Sequence, residues 1–325
     1  MLQRRTRLGL VALAMLAPCV TPSFAQQAKV AKIGFVSGQG QALAGHLKYF
    51  QEGMTAFGHV EGKTYELESH FTGGNQQRTR EIIQTLVNKP VDVLVAWVTP
   101  VAHMAKEITQ TVPIVMLVSD PLATGLVPSL SRPGGNLTGT AMAGPDLAGK
   151  RMEILRELRP SVRSVAFIGS SRDSNGPTFA RETKAATDRL GMSLLVKFIT
   201  DPSELKDELF EQLKRDGAEA VIIQPIFTGD RSRIVPLATK AGLPVIADYL
   251  PFAEAGALFT FGVDDTERLR RLGYFVDRIL KGAKPADLPV ELPTSFKLVI
   301  NTKAAKTLGW TIPEAFLTRA DEVIE

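Results

Sequence analysis

The sequence predicts an α/β protein of two doubly wound parallel-sheet lobes joined by a hinge. Short β-branched runs alternate with stretches of helical period. The strands are almost continuously apolar, as in parallel sheets covered on both faces. The rhythm then restarts after Asn136–Thr140, in a chain whose 325 residues exceed what one core comfortably holds. With 44% apolar and 22% charged residues the chain is neither disordered nor fibrous. Past residue 25 there is no run of 18 apolar residues, so no membrane-spanning helix is expected in that part.

Residues 1–25 read as a secretory signal. Arg4, Arg5 and Arg7 make a basic start, Leu8–Ala17 an apolar stretch, and Ser23 and Ala25 supply small residues before the cleavage point. A twin-arginine signal fits less well, because Arg7 stands where an apolar residue is usual. A lipoprotein box ending at Cys19 is spoiled by Pro18. Cleavage would take 38 basic residues to 35 against 34 acidic ones, a net charge of +1. That excludes the basic footprint of a nucleic-acid binder. Cys19 is the only cysteine, so the mature chain would have no disulfide, no reactive thiol and no Cys-rich zinc site. A periplasmic location is expected.

The elements follow in order. Lys32–Ser37 is read as a strand leading to a helix that runs to about Phe57. Tyr65–Phe71 is a strand, Gln76–Asn88 a helix, Val91–Trp97 a strand, Pro100–Thr109 a helix and Pro113–Val118 a strand. Leu147–Leu158 is amphipathic. It is followed by strand Ser164–Gly169, helix Pro177–Leu190, strand Leu194–Ile199, helix Pro202–Arg215, strand Ala218–Gln224 and helix Arg231–Ala241. Pro244–Asp248 and Ala257–Phe261 are further strands, Asp264–Lys281 is a long helix, and Ser295–Asn301 and Thr302–Leu308 close as strand and helix. The chain is expected to cross between lobes near 138–143, 258–263 and 290–294. One lobe would comprise 26–141 plus 262–292, the other 142–261 plus 293–325.

In such sheets ligands sit at the carboxyl ends of the strands. Helix starts there offer free N–H groups to anions. The turns Ser37–Gly40, Val98–Pro100, Ser119–Pro121, Ser170–Asn175, Pro225–Asp230 and Asp248–Phe252 therefore become the candidate cleft. Ser37, Gly38, Gln39, Thr99, Ser119, Asp120, Ser171, Ser174 and Asn175 supply hydroxyl, amide, carboxylate or N–H groups. Asp264 is a further candidate ligand group; Asp120 also suits a turn cap, and Asp264 a helix N-cap. Trp97, Phe227, Tyr249 and Phe252 fall at or just past strand ends, where rings either stack on a planar ligand or plug the sheet as core. No catalytic group and no metal-ligand set is assigned. Gly38–Gly40 lacks the third glycine of a dinucleotide fingerprint, because Leu43 occupies its place. Gly144–Arg151 lacks the Ser or Thr that ends a phosphate loop. His46, His59, His70 and His103 are not at metal-ligand spacing, and Ser170–Ser174 has no base nearby in the text.

Two long segments resemble the signatures of a family of ABC-transporter substrate-binding proteins that includes tryptophan/tyrosine-type uptake proteins. One is Pro113–Gly139, with Ser119-Asp-Pro-Leu-Ala-Thr-Gly-Leu-Val127 and Arg132-Pro-Gly-Gly-Asn136. The other is Lys281–Gly309, with Leu292-Pro-Thr-Ser-Phe-Lys-Leu-Val-Ile-Asn301, followed by Arg319–Ile324. The resemblance spans essentially residues 30–325. It implies a type I periplasmic binding protein whose lobes close on a small solute and deliver it to an inner-membrane ABC permease. Two departures stand out. Family members often have Gly where Ala123 stands, and often Asn-Pro after the first strand of the second lobe, where this chain has Ser170-Ser-Arg-Asp-Ser-Asn175. The expectation is a solute receptor without chemistry or cofactor. It would bind a carboxylate-bearing, aromatic or amino-acid-like ligand, have an inner-membrane ABC permease and no nucleic acid as partner, and be a monomer. A secreted α/β hydrolase using Ser170–Ser174, or a ligand sensor for a membrane signalling protein, are the alternatives.

Overall fold

The computed structural model describes residues 29–89, 91–142 and 146–325. The expected signal, with Cys19, and Gly144 and Pro145 of the Gly144–Arg151 segment lie outside them. The first lobe runs β1 (Ala31–Ser37), α1 (Leu47–Ala56), β2 (Tyr65–Phe71), α2 (Gln76–Asn88), β3 (Val93–Trp97), α3 (Thr99–Ile108), β4 (Ile114–Val118) and β5 (Leu137–Ala141). Its sheet is all parallel in the order β2-β1-β3-β4-β5. Every residue of β3, β4 and β5 is buried, whereas the edge strand β2 exposes Glu66 and Ser69. Charged and polar residues on an edge discourage pairing with other chains.

The second lobe runs α4 (Asp146–Leu158), β6 (Ser164–Ser170), α5 (Gly176–Arg189), β7 (Ser193–Ile199), α6 (Asp207–Arg215), β8 (Ala220–Ile223), α7 (Arg231–Lys240), β9 (Val245–Ala247), α8 (Leu250–Glu254) and β10 (Phe259–Val263). The chain then makes α9 (Asp265–Leu280), β11 (Phe296–Asn301), α10 (Thr302–Thr307), α11 (Glu314–Leu317) and β12 (Glu322–Ile324). The second sheet has the order β12-β11-β10-β9-β8-β6-β7, with β11 and β12 running against the rest.

Three passages join the lobes; the first two fall later than the expected 138–143 and 258–263, and the third falls within the expected 290–294. Leu137–Ala141 is a fifth strand rather than a crossing segment, because Gly139 can lie against the Met116 backbone where no Cβ fits. The crossing therefore begins at Met142, whose N–H donates to the Val118 and Ser119 carbonyls. Phe259–Val263 is bonded between β9 and β11, so the second passage comes after it, at the α9 N-cap Asp264. The third follows Glu291, whose backbone pairs with Gly139 and Ala141 at the margin of the first sheet. The short elements α8, α11 and β12 were not anticipated. Each spans five residues or fewer, too few for a hydrophobic period to register.

Although it follows β10 in sequence, α9 packs on the first lobe. Leu269, Leu272, Phe275 and Val276 join Phe35, Phe50, Met54 and Trp97 in one cluster. The approach of α9 to α1 is set by Gly53 and Gly273. A Cβ on Gly53 would overlap the Arg270 carbonyl, and one on Gly273 would overlap the Gly53 backbone. Backbone cannot rotate away as a side chain can, so Gly273→Ala should lower stability by about 1–3 kcal/mol, the usual scale of overpacking. Gly45→Ala, where a Cβ meets nothing, should leave it unchanged in the same urea titration.

Candidate functional site

The carboxyl ends of β1, β3 and β4 in the first lobe face those of β6, β8 and β9 in the second. Between them lies a central cavity of about 30 Å³, bounded by Gln39, Trp97, Thr99, Asp173, Tyr249 and Arg268. Two larger chambers adjoin it. One, of about 160 Å³, is walled by Val101, Met104, Arg172, Ile226 and Phe227. The other, of about 150 Å³, shares Trp97 and Tyr249 with the centre and adds His46, Glu254 and Lys297.

The wall is polar and mostly buried. Thr99 is the first residue of α3. Its Oγ1 accepts from the Ser119 N–H at 3.3 Å and, across the lobes, from Asn175 Nδ2 at 2.8 Å. The Asn175 Oδ1 is buried without a partner. Val98, just before, has φ +85, which a β-branched residue adopts only under strain. From the other side of the cleft, the Gly229 N–H donates to Gln39 Oε1 at 3.2 Å.

Arg268 reaches in from α9. Its Nη2 donates to the Val118 carbonyl at 2.9 Å and its Nη1 to Asp265 at 2.8 Å, with the Tyr249 hydroxyl at 3.4 Å. Its Nε is buried without a partner. The Tyr249 hydroxyl donates to the Met142 sulfur at 3.1 Å, and burial holds its pKa well above the ordinary phenol value.

Asp173 accepts only neutral donors, the Asn175 N–H at 3.0 Å and Gln224 Nε2 at 2.7 Å. Burial pushes its carboxyl up to about 6, opposed by the Asn175 N–H. Deeper in the second lobe Asp248 pairs with Arg151 at 2.7 Å. Burial outweighs that guanidinium and lifts the carboxyl to about 6, and one of its oxygens has no partner.

The expected site residues divide. Gln39, Trp97, Thr99, Ser119 and Tyr249 border the central cavity. Gly38 and Phe227 border the larger chamber. Ser37 is buried and turned inward, its Oγ accepting the Gln39 N–H. Trp97 is also core, edge-on to Phe35 and Phe71. Asp120 caps its own turn by accepting from the Leu122 and Ala123 N–H groups. Asp264 caps α9 and pairs with Lys297 at 2.7 Å.

Three expectations need correction. Phe252 does not face the cleft. It is fully buried among Ile223, Val235 and Ala257, because α8 turns it into the sheet. Ser171 is exposed and bonds Thr200 and the Ile199 carbonyl on the edge strand, and Ser174 is exposed without a side-chain hydrogen bond.

The groups missed were Asp173, Gln224, Arg268 and the Arg151–Asp248 pair. Asp173 was in view in the turn Ser170–Asn175, but within a turn no local pattern tells inward from outward. Arg268 sits in the run Arg268-Leu-Arg-Arg271, which reads as a solvated helix face.

The family model described as "ABC transporter substrate binding protein" matches residues 29–324. A tyrosine-binding protein of Clostridioides difficile is 24% identical over 264 residues, covering 80% of this chain and 75% of that one. Two solved structures each cover 91% of this chain and 100% of their own. A conserved domain protein of Vibrio cholerae has a TM-score of 0.85 at 27% identity. An ABC domain of Streptococcus pneumoniae in complex with L-Trp has a TM-score of 0.84 at 28% identity. The two lobes have the arrangement of type I periplasmic binding proteins, with more distant members of which only the fold is shared.

A pH dependence follows from Asp173 and Asp248. Their folded pKa values near 6 stand above the ordinary 3.8, so between these values the folded chain holds protons that the unfolded chain has released. Stability is therefore greatest at the acid end of that window and falls as pH rises through it. The expected loss is about 2–3 kcal/mol for each fully shifted group. Asp173→Asn should remove its share of the decline in unfolding midpoint between about pH 4 and 6. An unchanged decline would show that Asp173 stays ionised in the fold.

Proposed function

Because the chain belongs to the ABC transporter substrate-binding protein family, we propose that it is an extracytoplasmic receptor for an amino-acid-like solute, exported by residues 1–25 and served by a membrane permease. The observation that carries this reading is one cavity wall with opposite charges and unspent hydrogen-bonding groups. Asp173 has no cation beside it, and Asn175 next to it keeps a free acceptor. Arg268 faces them with a free donor. A zwitterion meets both needs. Its ammonium goes to Asp173 and Asn175, its carboxylate to Arg268 and the Thr99–Ser119 turn, and its side chain passes between Trp97 and Tyr249 into the adjoining chamber.

The relatives support an aromatic side chain, since one is named for tyrosine and another holds L-Trp. The central space suffices for one or two waters, so a ligand enters an open form. The lobes then close by bending where the chain passes between them, at Met142, Asp264 and 292–295. In this reading the moving bodies are residues 29–141 with 264–292 and residues 146–263 with 293–325, and the receptor acts as a monomer.

A thermal-shift panel on residues 26–325 tests the reading, using L-tryptophan, L-tyrosine, aliphatic amino acids, amine-free aromatic acids, sugars and nucleosides. A ligand at 100 times its Kd stabilises the fold by about 2.7 kcal/mol. Aromatic amino acids should raise the midpoint and amine-free aromatic acids should do so less. Asp173→Asn should weaken amino-acid binding by about 2–5 kcal/mol, as truncation of a buried charge partner does. A shift with sugars or nucleosides and none with amino acids sinks the proposal.

A further inference from the structure

We propose that Gly229 sets how far the two lobes close, and that its missing side chain is required only by the closed state. The proposal rests on the closing-receptor reading above. Gly229 lies in the tight turn Pro225–Asp230 of the second lobe, and its N–H donates to Gln39 of the first. A Cβ built on it would stand 2.9 Å from the Gly40 nitrogen and 3.5 Å from both Gly40 Cα and Gln39 Oε1. These three nearest atoms all belong to the other lobe. The closest is backbone, so no rotamer change relieves the clash. Gly229 is not in the left-handed region that favours glycine, so alanine there costs its own turn no backbone strain. Gly40, its partner in the contact, is different. A Cβ on Gly40 meets nothing within 4 Å. Two glycines touch across the cleft, and closure needs only one of them to be glycine. The same approach brings Asn175 Nδ2 to 2.8 Å from Thr99 Oγ1, so a side chain at 229 also holds those two groups apart.

The test uses residues 26–325, which contain no cysteine, carrying the pair Thr99→Cys and Asn175→Cys. The rate of diamide-driven crosslinking reports how often the lobes close, whether or not a ligand is known. Gly229→Ala should slow it by about tenfold or more, on the scale of one overpacked contact. Gly40→Ala should leave it unchanged, and both should keep the parent unfolding midpoint. Equal rates in all three chains, no crosslink in any, or a lower unfolding midpoint for Gly229→Ala would overturn the proposal. The last result would place the clash inside its own lobe. The L-tryptophan midpoint shift, measured on the chains without the cysteine pair, separates the two readings. Its absence from the wild type counts against the amino-acid ligand and leaves the crosslinking contrast to decide Gly229.

Discussion

The Arg268 guanidinium is the point on which the cleft depends. It stands on a helix that follows the last parallel strand of the second sheet yet packs on the first. It bonds the carbonyl that ends β4 and the hydroxyl that follows β9. One side chain thus fixes the spacing between the two sets of strand ends. Its charge is balanced by Asp265 one turn earlier on the same helix, so the anchor brings its own counter-ion. The cost of burying that pair is lowered by the three hydrogen bonds that hold it.

The carboxylates around this anchor are compensated to different degrees. Asp265 has Arg268 and Asp248 has Arg151, whereas Asp173 has only amide donors. Burial raises the pKa of all three. A buried carboxyl held by neutral donors costs free energy in its charged form. A fold optimised for stability alone would replace it, and the proposed zwitterion would supply the cation that Asp173 lacks. Gln224 supports Asp173. It accepts the Ser170 N–H with one end of its amide and donates to Asp173 with the other, so the direction of the carboxylate is fixed within the second lobe.

Local pattern carried most of the fold. Tyr65–Phe71 and Gln76–Asn88 stand where periodicity places them, because alternation of apolar runs and amphipathic stretches is written residue by residue. The first two crossings were not legible. Leu137–Ala141 is short, holds two threonines and a glycine, and becomes a strand only because β4 offers an edge to pair with. The site was half legible for the same reason. Strand ends mark which turns face the cleft, and Gln39, Thr99, Trp97 and Tyr249 are found there. Direction within a turn depends on tertiary packing, so Ser171 and Ser174 point to solvent while Asp173 and Asn175 between and beside them point in.

The position of α9 has a consequence for how the chain acquires its shape. Phe35 and Phe50 share a core with Leu272 and Phe275, more than two hundred residues later. As the polypeptide lengthens from its N-terminus, the second sheet gains most of its strands while one face of the first stays uncovered. The earlier lobe is therefore completed late, by a segment that must loop back after the second sheet is nearly whole. Contacts so distant in sequence are slow to form, because the intervening chain must be ordered before they are rewarded. The growing chain consequently spends most of its synthesis without a finished N-terminal half, and shortening it from the C-terminal end removes the cover of its beginning.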